Sequence, residues 1–170
     1  VLADVMHEYV PRAVGVRLQM DPALGAVGKP VKANTGVLDL LTGGGYLPVV
    51  ACVAGDAEGR VYNVNADQMA VACASGWQAS TLLFLTDVDG VRGADGKIIP
   101  LLTPELAAGL IASGVATGGM QAKLNAAAAA LSNGVEQVLI VPGALANVIA
   151  RICAGERIGT RMALSENKGA

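Results

Sequence analysis

The stretch "TGGMQAKLNAAAAALSNGVEQVLIVPG" (Thr117–Gly143) contains the two patterns that decide the fold class. Its first part, up to "SNG", is a run of good helix formers in which alanine predominates. Its second part, "EQVLIVPG", is a continuous apolar run of strand length that ends at Pro and Gly. A helix followed directly by a buried strand is typical of α/β folds.

The same alternation extends from this stretch toward the N-terminus. "STLLFLT" (Ser80–Thr86) predicts a buried strand. "TPELAAGLIASG" predicts a helix with Thr103 as its cap, Pro104 in first position and Gly114 as terminator. A long loop with acids and glycines, "DVDGVRGADGKII", lies between the two.

Further elements follow the same rules at both ends of the chain. "NADQMAVACASG" predicts a helix in which Asn65 and Gln68 form a capping box. "YLPVVACVA" (Tyr46–Ala54) and "GTRMAL" predict strands, and "ALANVIARICAGE" predicts a helix. The three glycines of "LTGGGYLPV" are typical of a tight connection between a helix and a strand, rather than of a phosphate loop.

This order predicts an α/β fold with a mostly parallel sheet. Ligands of such sheets bind beyond the carboxyl ends of the strands. The loops after Val53, Thr86 and Val141 are therefore the expected binding region.

Composition excludes several classes of protein. The hydrophobic fraction is 53% and mean hydropathy is +0.51, yet no apolar run approaches the roughly 20 residues needed to span a bilayer. The net charge of −2 and the lack of a basic block disfavour nucleic-acid binding. The three cysteines fit no metal spacing or disulfide framework, and we expect them reduced in the cytoplasm.

"TGGMQAK" places two glycines and Lys123 at the N-terminus of a helix, in what we predict to be its first turn. A helix N-terminus presents free backbone N–H groups and partial positive charge. One interpretation is a phosphate clamp made by Gly118, Gly119 and Lys123. The other is an ordinary glycine turn beside an exposed lysine, and the motif alone does not separate them.

"LTDVDGV" (Leu85–Val91) puts Asp87 and Asp89 directly after a buried strand. An Asx-type turn explains this pattern, and so does a loop that contacts a nucleotide. Neither a GxxxxGK[ST] nor a GxGxxG motif occurs in the chain, so a P-loop is excluded and a Rossmann cofactor site is disfavoured.

"YNVNADQ" (Tyr62–Gln68) combines Asn63, Asn65 and Asp67 around a predicted helix start. Asparagine offers donors and acceptors for a carboxylate or an amide. Helix capping by Asn65 is the simpler interpretation, but capping does not require Asn63 or Asp67 as well.

Five segments together resemble the amino acid kinase family. They are "VKANTGVLDLLTGGGYLPVV", "GRVYNVNADQMAVA", "LLFLTDVDGV", "GVATGGMQAKLNAA" and "GERIGTRM", and their order and spacing also match, from about Gly28 to Met162. The family fold implied is a three-layer α/β/α sandwich. "NVNAD" is the most discriminating segment, and it resembles the members that phosphorylate N-acetyl-L-glutamate.

The resemblance implies a role for each singled-out residue. Lys123 would assist the transferring phosphoryl group, and Asp67 would organise the catalytic lysines. Asn63, with Asn65 beside it, would contact the N-acetylglutamate. The implied nucleotide contacts are Thr86, Asp87, Asp89, Gly118, Gly119 and Met120. ATP with Mg²⁺ is the implied co-substrate, and a homo-oligomer, dimer or higher, is expected.

The N-terminal part departs from the family pattern. The residues from Val1 to Val27 do not show the second catalytic lysine and glycine-rich loops expected in the family's N-terminal half, and Val16 runs straight into Arg17. We therefore expect residues 1–27 to be a remnant of the amino-acid-binding lobe, 28–164 the nucleotide-binding lobe, and 165–170 a tail. Two alternatives stay open: a family kinase with another acceptor, and a nucleotide-binding module without turnover.

Overall fold

The computed structural model describes most of the chain from Val27 onward and one short strand before it. The described ranges are 14–17, 27–33, 35–55 and 60–165. Most of the predicted N-terminal remnant, residues 56–59 and the tail after Ser165 lie outside the described residues. The division into lobes stays a prediction.

The chain divides into two compact units, Val1–Gln78 (unit 1) and Ala79–Ala170 (unit 2). In unit 1 the described elements are strands β1 (Val14–Arg17), β2 (Val27–Ala33), β3 (Val53–Gly55) and β4 (Val61–Val64), and helices α1 (Gly36–Gly43) and α2 (Ala66–Gly76). The strand order is β1-β2-β4-β3. Only β2 and β4 are parallel; the two edge pairs are antiparallel.

Unit 2 contains a second four-stranded sheet. Its elements are strands β5 (Thr81–Thr86), β6 (Leu101–Leu102), β7 (Gln137–Pro142) and β8 (Thr160–Ala163), and helices α3 (Pro104–Ala112), α4 (Gly118–Ser132) and α5 (Val148–Cys153). The order is β5-β7-β8-β6, with parallel pairing at both edges and an antiparallel pair in the middle. The predicted α/β class is confirmed, and the expected parallel character is carried mainly by unit 2.

Helix α4 forms the centre of the unit 2 core. Leu124, Ala127 and Ala130 on its inner face are fully buried, as are Val138 and Ile140 on β7. Burying apolar side chains is the main stabilising contribution to such a layer. The alanines on this face, Ala127 and Ala130, are fully buried.

The predicted helix starts are confirmed where a cap marks them. Thr103 Oγ1 accepts the N–H of Leu106 at 3.4 Å, with Pro104 in first position. Gly114 follows the helix with a φ of +74° that only glycine adopts easily. Local signals of this kind fix a helix end without help from the rest of the fold.

Two predicted elements are wrong in extent. The strand expected over 46–54 is regular only in β3, because Leu47 and Val49 are 88% and 74% exposed and no strand among the described residues pairs with them. Val53 thus begins β3, and the two residues after it, Ala54 and Gly55, still belong to the strand. The helix expected over "ALANVIARICAGE" begins only at Val148, since Asn147 adopts a left-handed backbone with φ +56°.

Within the described residues, no helix has both the length and the apolarity needed to cross a membrane.

Candidate functional site

The carboxyl end of β5 carries the loop that the sequence singles out. Thr86 Oγ1 donates a hydrogen bond to Asp87 Oδ1 at 3.1 Å and accepts one from the Val88 N–H at 3.4 Å. Asp87 and Asp89 are both exposed. Asp89 pairs with Arg92 at 3.3 Å, but exposed pairs contribute little stability. The carboxylates thus lie at the surface, where a ligand has access to them.

Strands β5 and β7 end side by side, as parallel pairing requires. Thr86 lies in register with Pro142, and the Gly143 N–H donates to the Thr86 carbonyl oxygen at 2.7 Å. A Cβ on Gly143 would come within 3.3 Å of Leu85 Cβ. The two loops predicted to bind ligand after Thr86 and Val141 therefore start from one closely packed edge.

Thr160, which sequence reasoning missed, fixes the base of the loop after β5. Its hydroxyl is fully buried, accepts the Val91 N–H at 2.8 Å and donates to the Ile99 carbonyl oxygen at 2.7 Å. Gly90 lies against it, and a Cβ there would be 2.9 Å from Thr160 Oγ1. The two contacts join Thr160 to residues that are 69 and 61 positions earlier in the sequence. No local pattern signals such a bond.

The start of α4 is open and lacks a side-chain cap. Thr117 is extended and makes no capping bond, and the first turn of the helix has no acidic residue. Cβ atoms built on Gly118 and Gly119 would meet nothing within 4 Å. Backbone N–H groups at an uncapped helix start attract anions. The geometry suits an anion whose atoms approach the backbone closely.

Lys123 lies one turn later than predicted. Because α4 begins at Gly118, Lys123 is in its second turn, where the helix dipole has little effect. Its Nζ lies 5.0 Å from the centroid of the Phe84 ring on β5, a cation–π distance. Phe84 is only 4% exposed, so this contact holds a half-buried cation against the sheet near the end of β5.

The "NVNAD" residues lie at the junction of β4 and α2 in unit 1. Asn63 is exposed between the buried Tyr62 and Val64. Asn65 Oδ1 accepts the N–H groups of Asp67 and Gln68 at 3.0 and 3.2 Å, which confirms the cap. Asp67 is in the first turn of α2 and is partly exposed.

The structure therefore groups the singled-out residues into two sets. Unit 2 holds the loop and helix-start residues, which are Thr86, Asp87, Asp89, Gly118, Gly119, Met120 and Lys123. Unit 1 holds Asn63, Asn65 and Asp67. In the described part of the chain, no three His, Cys, Asp or Glu side chains are arranged to hold a metal ion.

Two known proteins with similar sequences are both acetylglutamate kinases. Acetylglutamate kinase from Solibacter usitatus (strain Ellin6076) is 60% identical over 144 residues, which are 85% of this chain and 56% of that protein. Acetylglutamate kinase from Cereibacter sphaeroides (strain ATCC 17029) is 46% identical over 142 residues, 82% of this chain and 48% of that protein. The chain thus spans about half the length of these relatives.

Solved structures show the same fold. N-acetylglutamate synthase from Neisseria gonorrhoeae, complexed with coenzyme A and L-arginine, is similar with a TM-score of 0.80 and 25% identity. That likeness covers 89% of this chain and 36% of the synthase chain. The amino acid kinase family matches residues 7–142, well over half of the chain. The chain belongs to the amino acid kinase family.

Proposed function

We propose that this chain forms part of a kinase that transfers the γ-phosphoryl group of ATP to the side-chain carboxylate of N-acetyl-L-glutamate. Family membership and the names of the relatives support this activity. The observation that carries it is the placement of Lys123, whose Nζ lies 5.0 Å over the Phe84 ring beside the end of β5. A cation is thereby supplied where a parallel sheet binds its ligands.

The reaction forms one bond and breaks one. A carboxylate oxygen of the acceptor attacks the γ-phosphorus, the bond to the β–γ bridging oxygen breaks, and ADP leaves with the electron pair. The product is an acyl phosphate. Catalysis of this kind depends on positioning and on stabilising charge at the transferring group. Lys123 and the first-turn amides of Gly118 and Gly119 would supply that stabilisation.

The nucleotide would lie along the edge formed by β5 and α4. Thr86, Asp87, Asp89 and Met120 are the proposed contacts there, and Mg²⁺ enters bound to the phosphates of ATP. The open space above Gly119 supports this placement, because a phosphate must approach the backbone closely to receive its hydrogen bonds.

The acceptor would be recognised by the "NVNAD" segment. Asn63 has an exposed side chain with both a donor and an acceptor. The Oδ1 of Asn65 is already engaged in the helix cap, so its amide nitrogen is the group left to contact substrate. Asp67 is proposed to orient the cationic groups of the site. The protein would work in the cytoplasm as a homo-oligomer.

ATP consumption with trapping of the product as a hydroxamate tests the proposal. We expect turnover with N-acetyl-L-glutamate and at least about tenfold lower kcat/KM with L-glutamate, L-aspartate or carbamate. Equal use of another acceptor would contradict the proposed substrate. Saturable ATP binding with no hydroxamate from any acceptor would instead favour a nucleotide-binding module without turnover.

A further inference from the structure

The loop that follows β5, residues 87–91, is attached to the core of unit 2 at both ends. Before the loop, the Thr86 carbonyl oxygen accepts the Gly143 N–H at 2.7 Å. At its far end, Val91 is fully buried and its N–H donates to Thr160 Oγ1 at 2.8 Å. Residues 87–89, which include both aspartates, are exposed between these attachments. The two attachments therefore determine where the carboxylates lie.

Thr160 makes the attachment at the far end with a single hydroxyl group. Its Oγ1 accepts the Val91 N–H and donates to the Ile99 carbonyl oxygen at 2.7 Å, while the Ile99 N–H donates to the Val91 carbonyl oxygen at 2.8 Å. Thr160 is fully buried, so water does not replace its hydroxyl. A buried N–H that loses its acceptor is costly. Without the hydroxyl, the backbone at Val91 would gain by moving toward water.

Gly90 brings the loop backbone directly against Thr160. A Cβ on Gly90 would lie 2.9 Å from Thr160 Oγ1 and 3.2 Å from the Gly159 backbone. Thr160 is itself fixed in the sheet, because it begins β8 and is in register with Ile140 on β7. The position of the loop thus follows the position of the sheet through this one side chain.

We propose that Thr160 is a positioning residue for nucleotide binding: its hydroxyl holds the 87–91 loop so that Asp87 and Asp89 lie where they contact ATP. The role rests on the proposed function, from which the nucleotide contacts of the two aspartates are taken. Because Thr160 is fully buried, it acts through Val91 and not by touching ATP. Binding then depends on the hydroxyl of residue 160, although that group is outside the nucleotide site.

Calorimetric titration of the whole chain with ATP and Mg²⁺ tests this role. The proteins compared are wild type, Thr160→Val, which removes both hydrogen bonds, and Thr160→Ser, which keeps the hydroxyl. Circular dichroism first fixes a temperature at which all three are folded. For Thr160→Val we expect an ATP Kd at least about tenfold higher with an unchanged number of sites, and for Thr160→Ser a Kd within about twofold of wild type.

The number of sites separates positioning from a loss of stability. Partial unfolding would lower the number of sites and leave the Kd of the folded molecules unchanged. A wild-type Kd in Thr160→Val, or binding as weak in Thr160→Ser as in Thr160→Val, would overturn the proposal. A wild-type chain that binds no ATP would contradict the proposed function as well, whereas a normal Kd in Thr160→Val contradicts the role of Thr160 alone.

Thr81→Val is the matched control. Thr81 Oγ1 also accepts a side-chain bond, from Gln137 Nε2 at 2.9 Å, but Thr81 begins β5 at the end of the strand opposite Thr86. We expect its loss to leave the ATP Kd unchanged. Equal weakening of ATP binding in Thr81→Val and Thr160→Val would contradict a specific effect on the loop.

If Thr160→Val does not fold, hydrogen exchange of the wild-type Val91 amide decides. A loop held by Thr160 gives exchange at least about tenfold slower than that of an unprotected amide, even without ATP. Saturating ATP should slow it further, because ligand and hydroxyl fix the same loop. Exchange at the unprotected rate, or exchange that ATP leaves unchanged, would overturn the proposal.

Discussion

Two pairs of glycines in unit 2 differ in how closely the fold surrounds them. Gly90 and Gly159 are crowded: a Cβ on Gly90 would lie 2.9 Å from Thr160 Oγ1, and one on Gly159 would collide with the Ile140 carbonyl oxygen. Gly118 and Gly119 are open, with nothing within 4 Å of a built Cβ. The fold itself requires glycine in the first pair.

The open pair needs a different explanation. Gly118 has a φ of +54°, so its backbone favours glycine. Gly119 has neither a crowded Cβ position nor a positive φ, and glycine in a helix is less stable than alanine. Nothing in the described structure requires glycine at 119. The proposed phosphate site would explain a glycine there, because glycine lets an anion approach the backbone closely.

Replacing Gly159 should give the largest effect on stability. Gly159→Ala adds strain at a φ of +71° and a clash with β7, and we expect a loss of about 3 kcal/mol in the free energy of unfolding. Urea denaturation measures it. Gly114→Ala is the control, because Gly114 has a similar φ of +74° but open space around it. Equal losses in both variants would mean that crowding at Gly159 contributes nothing.

Removing the Lys123 cation near the start of α4 should mainly affect ATP binding and turnover. Lys123→Met is expected to lower ATP affinity or turnover more than tenfold, about 1.4 kcal/mol or more, since phosphate charge would lose its partner. Initial-rate kinetics and ATP titration measure this. Lys97→Met is the control, because Lys97 is exposed in the loop beside Asp95. Unchanged kinetics in Lys123→Met would remove the phosphate-clamp interpretation.

Replacing Phe84, whose ring contacts Lys123, should lower turnover by a smaller factor. Phe84→Leu removes the ring under Lys123, and a cation–π contact of about 0.5–1 kcal/mol corresponds to a roughly two- to fivefold loss of turnover. Loss of the buried ring also destabilises the fold. Leu82→Val, on the same strand and equally part of the core, controls for that loss. An equal fall of kcat/KM in both variants would mean that Phe84 acts only through stability.

Sequence alone predicted those features whose signals are local. The caps at Asn65 and Thr103 and the terminator Gly114 were all found from neighbouring residue types, because a cap is completed within one turn. The candidate loop after Thr86 was found because its strand is a continuous apolar run.

Features that depend on long-range contacts were missed. Lys123 was singled out from its motif, but its contact with Phe84 was not predicted, and neither was the bond between Thr160 and Val91, because no local pattern indicates either pairing. The apolar run over 46–54 was predicted to be a strand, but in the described part of the chain most of it has no strand to pair with. Sheet pairing is a tertiary property, and apolar character alone does not determine it.

Gly119→Ala tests the central claim most directly, because it separates stability from binding. We predict unchanged or slightly higher stability, by up to about 0.5–1 kcal/mol, together with at least about tenfold weaker ATP binding. Gly109→Ala is the matched control, an exposed glycine in α3 with equally open surroundings. It should show the same gain in stability and unchanged ATP binding. Normal ATP affinity in Gly119→Ala, measured by calorimetry, would contradict a phosphate site at the start of α4.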